Sequence, residues 1–255
     1  MAGPFSDSSP DQLPSIWLCQ EGSTGLAGEP PWLIRHERET LRSLTGLRRS
    51  EYLLSRWLIR QALAGASNQP ADACRPVSGR LVRSEAPEGW RLSLSHSQGL
   101  VACATSHGVP VGIDLEPIQR KPRWQSIVRR WFSLREQAWL LEADDPMAFL
   151  TVWTLKEAWL KATGRGIAGN LQTLEVLPGF ELIGDRPEPD WQACCFRLPH
   201  CLVTLVWKGT TNGLPAVHQV SAPQTIQTLS GSEHRQLDAS VALRQTIQSM
   251  HVEQE

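Results

Sequence analysis

Along this chain of 255 residues, a block of helix-spaced apolar positions followed by short strand-forming runs occurs twice in the same order. A helix stripe or a sheet face must bury its apolar side against another element, so a repeated block of this kind predicts two similar layered units rather than one continuous sheet. The first block begins with a strand-length run, SIWLCQE (15 to 21), and continues with helical patterns at 32 to 44 and 48 to 64. In the second of these, Leu53, Leu54, Trp57, Leu58 and Leu63 recur at helix spacing. The runs RLSLSHS, LVACATS and VPVGIDLE then predict three strands in an antiparallel meander.

The second block has helical patterns at 123 to 131, 134 to 143 and 146 to 163, then strand-like TLEVLP, WQACCFRL and CLVTLVW. Ser133 and Glu136 form a capping-box pattern ahead of the middle helix, which gives Glu136 a structural job. The expected fold is α+β: two pseudo-symmetric halves, each with helices packed on a small antiparallel three-stranded sheet, and a ligand cleft between them. The boundaries expected are 1–115 for the first half, 116–215 for the second and 216–255 for a polar tail, with a short helix near 237 to 249 suggested by Leu237, Val241, Leu243 and Ile247.

Composition excludes several classes. With 41% hydrophobic and 20% charged residues the chain can bury a core, so disorder is not the whole answer. No apolar run approaches the roughly 18 residues of a membrane span, and MAGPFSDSSPDQLP has neither a basic nor an apolar leader region, so a soluble, cytoplasmic protein without a membrane partner is expected. The six cysteines sit in apolar runs with no CxxC pair, which predicts buried free thiols. A net charge of -1 argues against a general nucleic-acid binder. GxSxG, Walker A and HExxH patterns do not occur, so the corresponding hydrolases, NTPases and zinc proteases lack their signatures.

The cations are unevenly chosen and unevenly placed. Of 25 basic residues only four are Lys (Lys121, Lys156, Lys161, Lys208), and two of those fall within WTLKEAWLK. Eleven Arg stand against six acids between Arg35 and Arg91, and six basic residues against none between Arg120 and Arg135. Arg grips phosphate in a planar fork whereas Lys is a compact charge, so a local polyphosphate or an acidic protein partner fits the basic segments, as does a plain solvated surface.

Three short stretches hold the candidate chemistry. In VGIDLE, Asp114 and Glu116 leave the same face of a strand, and two adjacent carboxylates are suited to sharing a divalent cation; alternatively one faces solvent while the other caps the next helix. In WTLKEAWLK, Glu157 precedes Lys161 by one helical turn, either as a surface ion pair or as a cleft-facing acid and cation. In SLSHSQG, Ser93, Ser95 and Ser97 share a strand face and His96 lies near the turn, as a structural hydrogen-bonder or as a catalyst.

Taken in order, SLSHS, VGIDLE, FSLRE and WTLKEAWLKATGRGI resemble the 4'-phosphopantetheinyl transferase superfamily, over residues 15 to 210, and within it the large, monomeric type that activates surfactin and other nonribosomal peptide synthetases. The resemblance implies two pseudo-symmetric halves with coenzyme A between them. It implies a holo-acyl-carrier-protein synthase that transfers 4'-phosphopantetheine from coenzyme A to a serine of an apo acyl or peptidyl carrier protein, releasing adenosine 3',5'-bisphosphate. Asp114, Glu116 and Glu157 would hold Mg2+ on the coenzyme A pyrophosphate, Glu157 would be the general base, and Lys161 would stand near the transferred phosphoryl group. Ser95 and His96 would contact the coenzyme A phosphates. Arg80 stands where the family commonly has the lysine of Gly-Lys-Pro, and Arg48 and Arg49 would meet the adenine-side phosphate. The basic run from Arg120 to Arg135 would dock the acidic carrier. A nucleotide-sugar transferase would use the carboxylate pair but has no use for SLSHS or WTLKEAWLK, and a non-catalytic binding module has no use for Asp114, Glu116, Glu157 and Lys161 together.

Overall fold

The computed structural model describes residues 12–20, 29–77, 83–119, 123–221 and 226–249. In chain order these form β1 (Ser15–Gln20), α1 (Arg35–Ser43), α2 (Gly46–Ser67), β2 (Arg75–Val77), β3 (Arg83–Ala86), β4 (Trp90–Ser97), β5 (Leu100–His107), β6 (Val111–Pro117), α3 (Trp124–Trp131), α4 (Leu134–Ala143) and α5 (Pro146–Ala162). The strands β7 (Leu174–Val176), β8 (Leu182–Gly184), β9 (Trp191–Arg197), β10 (Cys201–Lys208), β11 (Ala216–Ser221), β12 (Glu233–Gln236) and β13 (Ser240–Ser249) complete the fold. Among the described residues no helix is long and apolar enough to cross a membrane.

The fold is α+β with two roughly symmetric helix-and-sheet halves and a cleft between them, but the sheets are larger than the three strands expected of each. One has seven strands in the order β12-β11-β1-β5-β4-β3-β2, the other six in the order β6-β10-β9-β13-β8-β7. The expected first meander is also incomplete. β4 and β5 pair antiparallel, whereas β6 leaves them and pairs antiparallel with β10 of the other half. β11 does the converse: it follows β10 in the chain yet runs parallel to β1, which lies beside β5. β6 and β11 therefore each lie in the sheet built mainly by the other half, and the expected cut at residue 115 falls inside β6.

The region expected as a polar tail supplies sheet structure as far as residue 249. β11 and β12 lie at one end of the larger sheet, and β13 inserts between β9 and β8. The helix expected near 237 to 249 is the strand β13, in which Leu243 and Ile247 pack on the core of the second half while a bulge between Val241 and Leu243 leaves Val241 exposed.

Apolar periodicity explains the helices. Leu53, Leu54, Trp57, Leu58 and Leu63 are buried in the core of the first half with Trp17 and Leu41. Phe149, Val152, Leu155, Trp159 and Leu160 of α5 are buried in the core of the second half. A third cluster, with Ile16 of β1, Ala104 of β5, Ile113 of β6, Val203 of β10 and Val217 of β11, welds the crossing strands together. β5, β6 and β10 are buried along nearly their whole length because both of their faces are covered. All six cysteines are free and buried, as expected. Burial pushes the thiols of Cys103, Cys194 and Cys195 up to about 12.

Candidate active site

The crossing of β6 places it against β4 and α5. The three serine hydroxyls of β4 share a face, as the alternation predicts, and all meet β6. Ser93 Oγ accepts from the Ile113 backbone N–H at 3.0 Å, Ser95 Oγ donates to Asp114 Oδ1 at 2.8 Å, and Ser97 Oγ donates to Glu116 Oε2 at 3.0 Å. Asp114 and Glu116 thus leave β6 on one side and are held by serines two residues apart on β4.

Helix α5 closes the other side. It starts at Asp145, whose side chain accepts from the Met147 N–H at 2.8 Å, with Pro146 in the first helical position. A Cβ on Gly112 would lie 2.0 Å from Ala158 O and 2.4 Å from Ala162 N, so only glycine permits β6 to approach the helix this closely. That approach brings Lys161 Nζ to 2.8 Å from Asp114 Oδ1. Glu157 stands one turn before Lys161 on the same helix and is 8% exposed.

Asp114 is 5% exposed; Oδ1 has two partners, whereas Oδ2 is buried without a hydrogen-bond partner. Burial raises the pKa of its carboxyl, and the nearby Lys161 ammonium opposes that rise. A buried carboxylate oxygen with an open coordination position, beside a second carboxylate on the same strand face, fits a hard divalent cation. The full set expected at Asp114, Glu116 and Glu157 is not drawn together as one cluster: among the described residues no group of three or more His, Cys, Asp or Glu side chains could hold a metal.

The other motif lysine has a structural role. Lys156 is fully buried; its ammonium pairs with Glu136 at 2.6 Å, donates to the carbonyls of Leu171 and Leu174, and lies over the Phe132 ring. Glu136 completes the expected capping box with Ser133 and also accepts from the Val176 N–H at 2.9 Å. This network ties α4, α5 and β7 together, so Lys156 braces the helix that carries Glu157 and Lys161. Burial lowers its pKa, with Glu136 acting in opposition.

Beyond the tip of β4 lies a cleft of about 410 Å³ whose lining includes Arg48, Glu51, Tyr52, Arg56 and His96. His96 is 59% exposed there, with Nε2 4.0 Å from Glu51 Oε2. Arg48 and His96 are therefore brought together, next in the chain to Ser95. Arg49 points elsewhere, donating to Leu41 O at 2.7 Å and so satisfying a carbonyl near the end of α1. Arg80, Arg120 and Lys121 lie outside the described residues.

Sequence reasoning missed Arg56. It is 8% exposed, its guanidinium lies over the Tyr52 ring, and its Nε is buried without a partner. Burial lowers its pKa from the usual guanidinium value. The signal was available: Arg56 and Arg60 interrupt the apolar stripe of α2 one turn apart. Arg60 is explained by its buried pair with Glu37 at 2.7 Å, whereas Arg56 joins Arg48 in lining the cleft.

A buried carboxylate pair, a lysine and a neighbouring cleft lined by Arg48 and Arg56 supply groups suited to a polyanionic ligand and a cation. Residues 110–197, which contain β6, α5 and β9, match the family model of the 4'-phosphopantetheinyl transferase superfamily. The chain is 40% identical over 94 residues to the 4'-phosphopantetheinyl transferase HetI of Nostoc sp., covering 36% of this chain and 39% of that protein. It is 33% identical over 123 residues to AcpT of Salmonella typhi, covering 47% and 61%, and 34% identical over 88 residues to Sfp of Bacillus subtilis, covering 33% and 38%. Both of these are also named 4'-phosphopantetheinyl transferases. Each match spans less than two thirds of the relative's own length.

Proposed function

We propose that this protein transfers 4'-phosphopantetheine from coenzyme A to a serine of an apo acyl or peptidyl carrier protein, releasing adenosine 3',5'-bisphosphate. The observation that carries the reading is the Asp114–Lys161 contact at 2.8 Å, which joins the VGIDLE strand to the WTLKEAWLK helix beside an arginine-lined cleft. The subtype proposed is the large, monomeric, surfactin-synthetase-activating one, supported by the two halves within one chain.

Coenzyme A carries a 3'-phosphate and a pyrophosphate, and the cleft offers matching charge. Arg48, Arg56 and His96 receive the phosphates at the adenosine end, with Arg56 held by its own burial, so little side-chain freedom is lost on binding. Arg80 is a further phosphate contact in this reading, whereas Arg49, turned to Leu41 O, is not. Lys161, already directed at the β6 carboxylates, lies beside the phosphoryl group under attack. Ser95 positions Asp114 through its hydrogen bond and presents the adjacent His96 to the ligand.

Asp114, Glu116 and Glu157 would hold Mg2+, which would neutralise charge on the pyrophosphate and on the departing adenosine bisphosphate. Glu157 accepts the proton of the carrier serine, whose oxygen forms the new bond to phosphorus as the bond to the adenosine-side phosphate oxygen breaks. A serine hydroxyl is a poor nucleophile until a base takes its proton, and a carboxylate on a braced helix needs no large movement to act as one. The carrier docks along α3 and the start of α4, where Arg129, Arg130 and Arg135 are joined by the exposed Trp131 and Leu134; acidic carriers complement this face. A cytoplasmic location fits such partners.

Incubation with apo carrier proteins, coenzyme A and Mg2+, followed by intact-mass spectrometry, tests the reading. A phosphopantetheine adduct on the carrier serine is expected; no adduct on any of several fatty-acid, polyketide and peptide carriers would refute it.

A further inference from the structure

The candidate active site uses only the distal parts of β4 and β6. Their opposite ends, with the end of α5, the start of β9 and the end of β10, enclose a second crevice of about 280 Å³ between the halves. Three cations line it: Arg91 at the start of β4, Arg186 before β9, and Lys208 at the end of β10. Among the described residues none of the three forms an ion pair.

Three buried polar atoms in the same lining have no hydrogen-bond partner: Arg186 Nε, Trp191 Nε1 and Glu188 Oε2. Trp191 is 5% exposed and its ring is held edge-on by Trp159, with centroids 5.1 Å apart. The Arg186 guanidinium is anchored from its other side, NH2 donating to Thr163 O at 3.3 Å just past α5. Buried polar groups left unpaired are costly, and two donors and one acceptor in one lining match a ligand that accepts twice and donates once.

We infer that this crevice binds a small protonated oxyanion of the phosphate class. Its oxygens accept from Arg186 Nε and Trp191 Nε1 within the field of Arg91 and Lys208, and its hydroxyl donates to Glu188 Oε2. The carboxylate makes the site selective. Hydrogen phosphate retains a donor at neutral pH, whereas sulfate has none and would set an oxygen lone pair against Glu188. The ligand bridges the first half, β6 and the second half next to Thr163, two residues from Lys161. It is independent of the transferase reading, since nothing in the argument uses coenzyme A.

The test is an NMR titration of the full-length 15N-labelled protein with inorganic phosphate, following the Trp191 indole N–H, identified by its loss in Trp191→Phe. Phosphate is expected to shift this resonance saturably in the wild type and equally in Arg48→Ala, which alters the other cleft, and not in Arg186→Met. Sulfate should bind about tenfold or more weakly than phosphate, the usual scale for a lost hydrogen bond to a charged group, and Glu188→Gln should bring the two close to parity. The inference is overturned if phosphate leaves the Trp191 resonance unmoved, if Arg186→Met responds like the wild type, or if sulfate matches phosphate in the wild type. Should Arg186→Met fail to fold, the phosphate-to-sulfate ratio in Glu188→Gln decides alone.

Discussion

Replacing Gly112 by alanine adds one methyl group at the point where β6 meets α5. The new Cβ would stand 2.0 Å from Ala158 O, 2.4 Å from Ala162 N and 2.9 Å from Ala162 Cβ. Backbone atoms cannot rotate aside, and a tolerable contact begins near 3.0 Å, so strand and helix must separate by about 1 Å. The Lys161–Asp114 contact, now 2.8 Å, would open to about 3.8 Å and cease to be a hydrogen bond. Overpacking of this kind costs about 1–3 kcal/mol, a fall in Tm of about 2–12 °C for a chain of this size. A displacement of 1 Å at a reacting centre costs about 10²-fold in rate, so turnover should fall far more than stability does. Thermal unfolding by circular dichroism and carrier modification by intact-mass spectrometry, on the same preparation, read the two effects. A Gly112→Ala protein that keeps both Tm and rate would refute the claim that this close approach builds the site.

Lys156→Met should destabilise the protein by about 3–5 kcal/mol, because it leaves Glu136 charged and unpaired in the core, and denaturant unfolding would measure it. Asp114→Asn should abolish transfer yet raise stability at neutral pH. A carboxyl whose pKa is raised on folding stabilises the fold when protonated; that contribution is fully present below the ordinary value of 3.8 and is lost as pH rises through the raised value. The gain of the Asn variant should therefore vanish in unfolding curves taken below that range. Reversing Arg129 and Arg130 to Glu should raise the carrier KM while leaving the KM for coenzyme A unchanged, as steady-state kinetics would show.

The helices were legible because their apolar stripes repeat at 3.6 residues over two or more turns, and α4 begins at the Ser133 cap its sequence announces. The destination of β6 was not. VPVGIDLE reads as a strand wherever it lies, and whether it pairs with β5 or with β10 depends on contacts far apart in the chain. β13 was misread for a different reason. β13 is largely exposed and bulged between Val241 and Leu243, so few apolar residues carry a strand alternation and the bulge interrupts it.

At the site, Asp114, Glu116, Lys161 and the serine face of β4 were visible because short-range spacing fixes which side chains share a face. Spacing alone could not distinguish the two motif lysines. Lys156 is turned inward to a carboxylate twenty residues earlier and Lys161 outward to β6, and only tertiary packing separates them. Arg56 was hidden by its company, a cation in a stripe of leucines that drew attention to the core.

The central claim is that Glu157, on the helix held against β6, takes the serine proton during phosphopantetheine transfer. Intact-mass time courses of one apo carrier with coenzyme A and Mg2+, comparing the wild type with Glu157→Gln, test it most directly. Rapid adduct formation by the wild type and nearly none by Glu157→Gln is the predicted result; an adduct formed at the wild-type rate by Glu157→Gln would contradict it.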